Sequence, residues 1–166
     1  MFIVRTNKKG WYIIMESLNS YMGMARNDYE YAKDGMSTGA RLGNYNNVAS
    51  GCAQSAKKYL KAVLEKGFEE KQEILPLMHN HNLRALYNKV ITKYHLSVSS
   101  KDCKWLGDFY FDARYPGDYF LEVNRNDAEE CLRLVELLQN DVTSIMQQIN
   151  TERAVKLKEL QKSKAF

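Results

Sequence analysis

Asp28, Lys61, His81 and Arg114 stand beside, rather than opposite, the apolar stripes of a 166-residue chain. Arginine offers phosphate a planar fork of donors, and lysine offers a mobile point charge. His81 can donate to the same anion, and Asp28 can orient Arg114 or accept from a ribose hydroxyl. Tyr115, next to the arginine, supplies a ring able to stack on a base or to bury in the core. Flank positions of antiparallel helices converge on a groove between them, so these five residues form a candidate nucleotide site. Each also has a plainer structural use. Gln54, Lys57 and Lys61, at spacings of three and four, suit a solvated helix face. His81-Asn82 suits a helix start, and Arg114 suits the last carbonyls of a helix.

Other chemistries lack their residues. Neither G-x-G-x-x-G nor G-x-x-x-x-G-K-[ST] occurs, and no strand precedes a place for one. No Glu-x-x-His pair leads into His79, His81 or His95, which removes the di-metal arrangement of helical bundles. Cys52, Cys103 and Cys131 form no C-x-x-C and fall on apolar stripes, so buried free thiols are expected. No catalytic set, metal site or cofactor is expected.

Periodicity supplies the elements. Met15, Leu18, Met22, Ala25, Tyr29, Ala32 and Met36 step by three and four and predict a first helix, ending at Gly39 to Gly43. Asn44 caps a second, whose stripe runs Tyr45, Ala49, Cys52, Ala56, Tyr59, Val63 and stops at Gly67. Residues 68–80 read as an interruption around Pro76. Leu83, Leu86, Val90 and Tyr94 mark a third helix. Ser99 and Asp102 form a capping pair for a fourth, with Cys103, Leu106, Tyr110 and Ala113 inward and an end near Arg114 before Pro116. Asn124 and Asp127 repeat the signature ahead of Ala128, Cys131, Val135, Leu138, Val142, Ile145 and Ile149. Phe2–Val4 and Tyr119–Val123 are too short and isolated to build a sheet. The expectation is an all-α fold, an antiparallel up-and-down bundle of four to five helices. Residues 1–14 would be an N-terminal extension, 15–150 the bundle and 151–166 a charged helical extension.

In order, the pieces are Gln54 to Ala62 (Gln-x-x-Lys-Lys-x-x-Lys-Ala), His81-Asn82-Leu83, Tyr110 to Pro116 with Ala113-Arg114-Tyr115-Pro116, and Asp127-Ala128. Ala25, Asp28 and Ala32 fit ahead of them. This order resembles the HEPN domain family over roughly residues 15–150. The resemblance implies a helical bundle that often dimerises. Many such bundles are encoded beside a minimal nucleotidyltransferase, and similar ones form the C-terminal half of kanamycin nucleotidyltransferase. There the bundle helps bind nucleotide or substrate rather than performing chemistry. Other members are metal-independent RNases of toxin–antitoxin or defence systems, with an Arg, four to six residues, then a His on one helix. The corresponding positions are Gln72 to Ile74, Ile74 to Pro76 and Asn88 to Val90, and none is arginine. The resemblance therefore implies a non-catalytic, nucleotide- or partner-binding bundle acting with a nucleotidyltransferase. The alternative is an RNase with a rearranged set such as His81 and Arg114. At Lys57 many relatives have glutamate, so this helix face is more basic than is usual.

Charge fits that reading. The chain carries +4, but residues 1–10 hold three bases and no acid, and residues 151–166 hold five bases against two acids. The body is left with 16 bases and 18 acids, the wrong balance for a duplex-binding surface, so nucleic acid is not the expected partner. The longest apolar run, Trp11–Met15, is far short of the roughly 20 residues of a membrane span. With no signal-peptide pattern at the start, a cytoplasmic protein is expected. Tyr21, Tyr31, Trp105, Phe109 and Phe111 fall outside or at the edges of the stripes, which predicts a homodimer.

Overall fold

The computed structural model describes residues 17–163, together with the backbone of Ile3–Thr6 and Tyr12–Met15. Among the described residues, six helices follow two short paired strands: α1 Tyr21–Leu42, α2 Asn46–Gly67, α3 Lys71–Met78, α4 Leu83–Val90, α5 Ser100–Asp108 and α6 Arg125–Ser163. The body is all-helical, as the stripes require. The described residues include no helix long and apolar enough to cross a membrane.

The first difference from the sequence reading lies at the start. Met15 does not begin the first helix. It ends strand β2 (Tyr12–Met15), which pairs antiparallel with β1 (Ile3–Thr6), Met15 opposite Ile3 and Tyr12 opposite Thr6. Tyr12, Ile13 and Ile14 favour extended backbone. Ser20, whose hydroxyl accepts from Gly23 N at 3.0 Å, resets the helix start. Leu18 is consequently 65% exposed rather than part of the stripe. Phe2, Lys8, Lys9 and Lys164, which entered the strand and tail expectations, lie outside the described residues.

Helix α2 is the axis of the bundle and packs on α1, α6, α4, α3 and α5. Tyr59, Leu60, Val63 and Leu64 are fully buried on it. Truncating a leucine such as Leu60 to alanine would cost about 2–5 kcal/mol. The opposing stripe of α6, Ala128 to Ile149, is buried along its whole length, with Leu134 added. Beyond Ile149 the helix continues to Ser163 with every residue exposed. Gly43, at φ 68°, closes α1 with its N–H on Gly39 O.

Caps hold the later helices. Ser99 and Asp102 form a complete capping box, and Asn124 accepts from Asp127 N at 3.0 Å. The segment around Pro76 contains α3, anchored by buried Ile74, where an interruption was expected. The fourth expected helix ends at Asp108 rather than near Arg114, and turns carry the chain onward. Three of the five aromatic residues assigned to a dimer face are covered: Phe109 is buried, and Tyr21 and Trp105 pack against the core. Tyr31 and Phe111 are exposed. All three cysteines are buried and free, and burial pushes the Cys52 and Cys103 thiols up to about 12.

Candidate functional site

The site begins with an anomaly on α2. Lys57 and Lys61, one turn apart, are each only 6% exposed. Burying an ammonium group is costly unless something compensates its charge. Lys61 Nζ donates to the Met78 carbonyl at 2.6 Å. Lys57 Nζ lies 3.3 Å from His81 Nδ1 and 3.8 Å from the centre of the Tyr110 ring. Among the described residues neither lysine is paired with a carboxylate. Between them on the sequence, Lys58 turns toward α1 and forms an ion pair with Asp28.

Local structure sets His81 in place. Asn82 caps α4, its side chain accepting from Ala85 N at 3.0 Å, which leaves the preceding His81 beside α2. Its ring stacks on Tyr110, with centres 5.5 Å apart and planes 17° from parallel. The Arg114 guanidinium lies 5.9 Å from the Tyr110 ring centre and 5.9 Å from that of Tyr115. Tyr110 is thus a shared platform for Lys57, His81 and Arg114.

Asn46 fixes the segment that carries Arg114. This buried side chain donates to Ala113 O at 2.9 Å and to Leu121 O at 2.7 Å, and accepts from Val123 N at 3.0 Å. Both ends of the turn region are thereby tied to the first residue of α2. The Arg114 guanidinium makes no hydrogen bond to a helix carbonyl among the described residues, so the capping use expected of it is not realised.

Electrostatics follow from the crowding. Burial, then Lys58 and Arg114, with Asp28 opposing, pushes Lys57 down to about 8. Burial and then Lys57 lower Lys61. Lys57, with burial and Lys61 adding, lowers His81, which favours the neutral ring whose Nδ1 can accept from Lys57.

Two cavities flank this cluster. One of 460 Å³ lies between α1 and α2 and is lined by Asp28, Tyr31, Gln54, Lys58 and Arg114. The other, of 350 Å³, opens between α4 and α5 beside His81, Arg84, Lys104 and Tyr110. A larger one, of 770 Å³, lies at the far end of α2. There Lys93 and Arg153 already donate to the last carbonyls of that helix.

The five sequence-derived residues are distributed accordingly. Asp28 and Arg114 share the α1–α2 cavity, although Asp28 orients Lys58 rather than Arg114. His81 faces the second cavity. Neither Lys57 nor Lys61, a turn beyond it, lines either of the two flanking cavities. Tyr115 is 61% exposed, so its ring is not in the core. Lys57 and Tyr110 join the set as central members. Lys57 was visible on the Gln54–Lys57–Lys61 face, whereas Tyr110 was hidden as one more member of a core stripe.

Such a cluster, with cations around an aromatic face and cavities beside it, carries the positive charge that attracts an anion. The HEPN domain model matches residues 18–145, and the chain belongs to the HEPN domain family. No curated protein and no solved structure matches it significantly.

Proposed function

We propose that the protein is a non-catalytic HEPN bundle that binds a nucleotide through its phosphates and acts with a minimal nucleotidyltransferase, in a toxin–antitoxin or defence setting. The observation that carries the reading is the set Lys57, Lys61 and Arg114, none paired with a carboxylate among the described residues. Lys61 donates to the last carbonyl of α3, so Lys57 is the buried ammonium group whose stability cost a bound phosphate would offset. The absence of an Arg-x(4–6)-His sequence supports a binding role over RNA cleavage. Self-association through exposed faces such as that of Phe111 belongs to the same proposal, and light scattering reads it directly.

The rearranged RNase is the second reading, and one contact favours it: His81 and Arg114 both approach the Tyr110 ring. A neutral histidine near an arginine could serve as a base beside a phosphate. Calorimetric titration of ATP, with the protein alone and with a neighbouring nucleotidyltransferase, separates the readings. Arg114→Ala should weaken binding by about 1.5 kcal/mol or more, the scale of a charge-assisted hydrogen bond, with unchanged melting. Lower melting with unchanged binding would assign Arg114 to structure. RNA cleavage abolished by His81→Ala would favour the RNase.

A further inference from the structure

The α1–α2 cavity contains more than charge. Its lining holds the Asp28–Lys58 pair and Arg114 and, besides these charges, uncharged groups that include Tyr31, Gly35 and Asn47. Steps of four, three and four residues place Asn47, Gly51, Gln54 and Lys58 on one face of α2. Asp28, Tyr31, Ala32 and Gly35 form the facing side of α1 by the same rule. A Cβ on Gly51 would come within 3.3 Å of the Ala32 Cβ, so the two helices meet closely along the cavity floor.

Among the described residues, the side-chain amides of Asn47 and Gln54 take part in no hydrogen bond. The Tyr31 ring, 72% exposed, contacts no other ring or cation there. Each amide carries both a donor and an acceptor, the combination that matches the mixed edge of a nucleobase. An exposed tyrosine face can stack on any base. The volume, 460 Å³, lies within the roughly 300–1,000 Å³ of small-molecule sites.

We infer that this cavity is the base-and-ribose half of the site. It takes a nucleoside phosphate whose base lies against Tyr31, with its edge on Gln54 and Asn47. Its phosphates turn toward Arg114 on the cavity wall, with Lys57 behind it and within reach of the Arg114 charge. The inference rests on the phosphate-binding reading above and adds to it which surface distinguishes a nucleotide from a bare polyphosphate.

Titrating the full chain with ATP and, separately, with inorganic tripolyphosphate tests it. In wild type ATP should bind at least about tenfold more tightly than tripolyphosphate. Tyr31→Ala and Gln54→Leu should each remove most of that margin and leave tripolyphosphate affinity unchanged, with circular dichroism confirming their fold. Equal affinity of the two ligands in wild type would overturn the base subsite while leaving the phosphate reading standing. So would an ATP margin that survives in both variants. Absence of binding by either ligand would overturn the phosphate reading and this inference with it.

Discussion

Two groups of cations lie along α2, and the fold treats them differently. At the C-terminal end, Arg153 donates to Lys66 O at 2.6 Å and Lys93 to Gly67 O at 2.7 Å. Carboxylates complete that end, with Lys89 on Glu73 at 2.7 Å and Lys156 on Glu69 at 3.4 Å. These cations meet the negative end of the helix dipole and the carbonyls left over when a helix stops. Midway along α2, among the described residues, Lys57 has only a histidine nitrogen and an aromatic face, and Arg114 only two rings. Positive charge that closes a helix needs no ligand. Positive charge at Lys57, buried against a ring, has no such carbonyls to close, and the proposed phosphate would compensate it.

The largest expected effect comes from releasing the segment that holds Arg114. Asn46→Ala removes three hydrogen bonds from a buried position and should cost about 2–4 kcal/mol in a denaturant melt. It should also weaken ATP binding, because the Ala113 carbonyl next to Arg114 is no longer held. A stable variant with intact binding would show that the segment is positioned by its own packing.

Lys57→Met should have a smaller effect of opposite sign on stability. Lys57 titrates at about 8 when folded and near 10.5 when unfolded. Below pH 8 both states are protonated, and the folded state bears the cost of the buried charge. Between 8 and 10.5 the unfolded state binds more protons, so wild-type stability rises with pH through that window. The variant should therefore be more stable at pH 7 by on the order of 1–3 kcal/mol, with the gain shrinking toward pH 10.5. Melting curves at pH 7 and pH 10 check this, and a destabilised variant would mean that the ammonium is well compensated.

The smallest effect belongs to the other cation group. Lys93→Ala should cost about 0.5–1 kcal/mol, the scale of a helix-terminus charge, and leave ATP binding unchanged. Loss of ATP binding there would move the functional site to the far end of α2.

The contrast also explains what could be read from the chain. Stripes such as Cys131 to Ile149 and caps such as Ser99 with Asp102 are local patterns, so their positions were legible. Met15 misled because its spacing continues the α1 stripe, while the β-favouring residues before it pair with a strand. Pro76 suggested a break, although its neighbours form the eight-residue α3. In the site, side-chain type and helical face pointed to Asp28, Lys61, His81 and Arg114. Nothing in a single sequence shows that Lys57 is buried, because burial depends on where α4 and the turn after α5 come to rest. Tyr110 escaped for the converse reason: its spacing marks core, and only the tertiary fold turns its ring toward His81 and Lys57.

Proton uptake on binding tests the central claim most directly. A phosphate beside Lys57 favours its charged form and raises its pKa, so near pH 8 ATP binding must draw protons from solution. Calorimetry in buffers of different ionisation enthalpy measures that uptake. The account predicts a fraction of one proton taken up by wild type, none by Lys57→Met, and affinity that falls as pH rises through about 8. Binding without proton uptake, or uptake that persists in Lys57→Met, would contradict it.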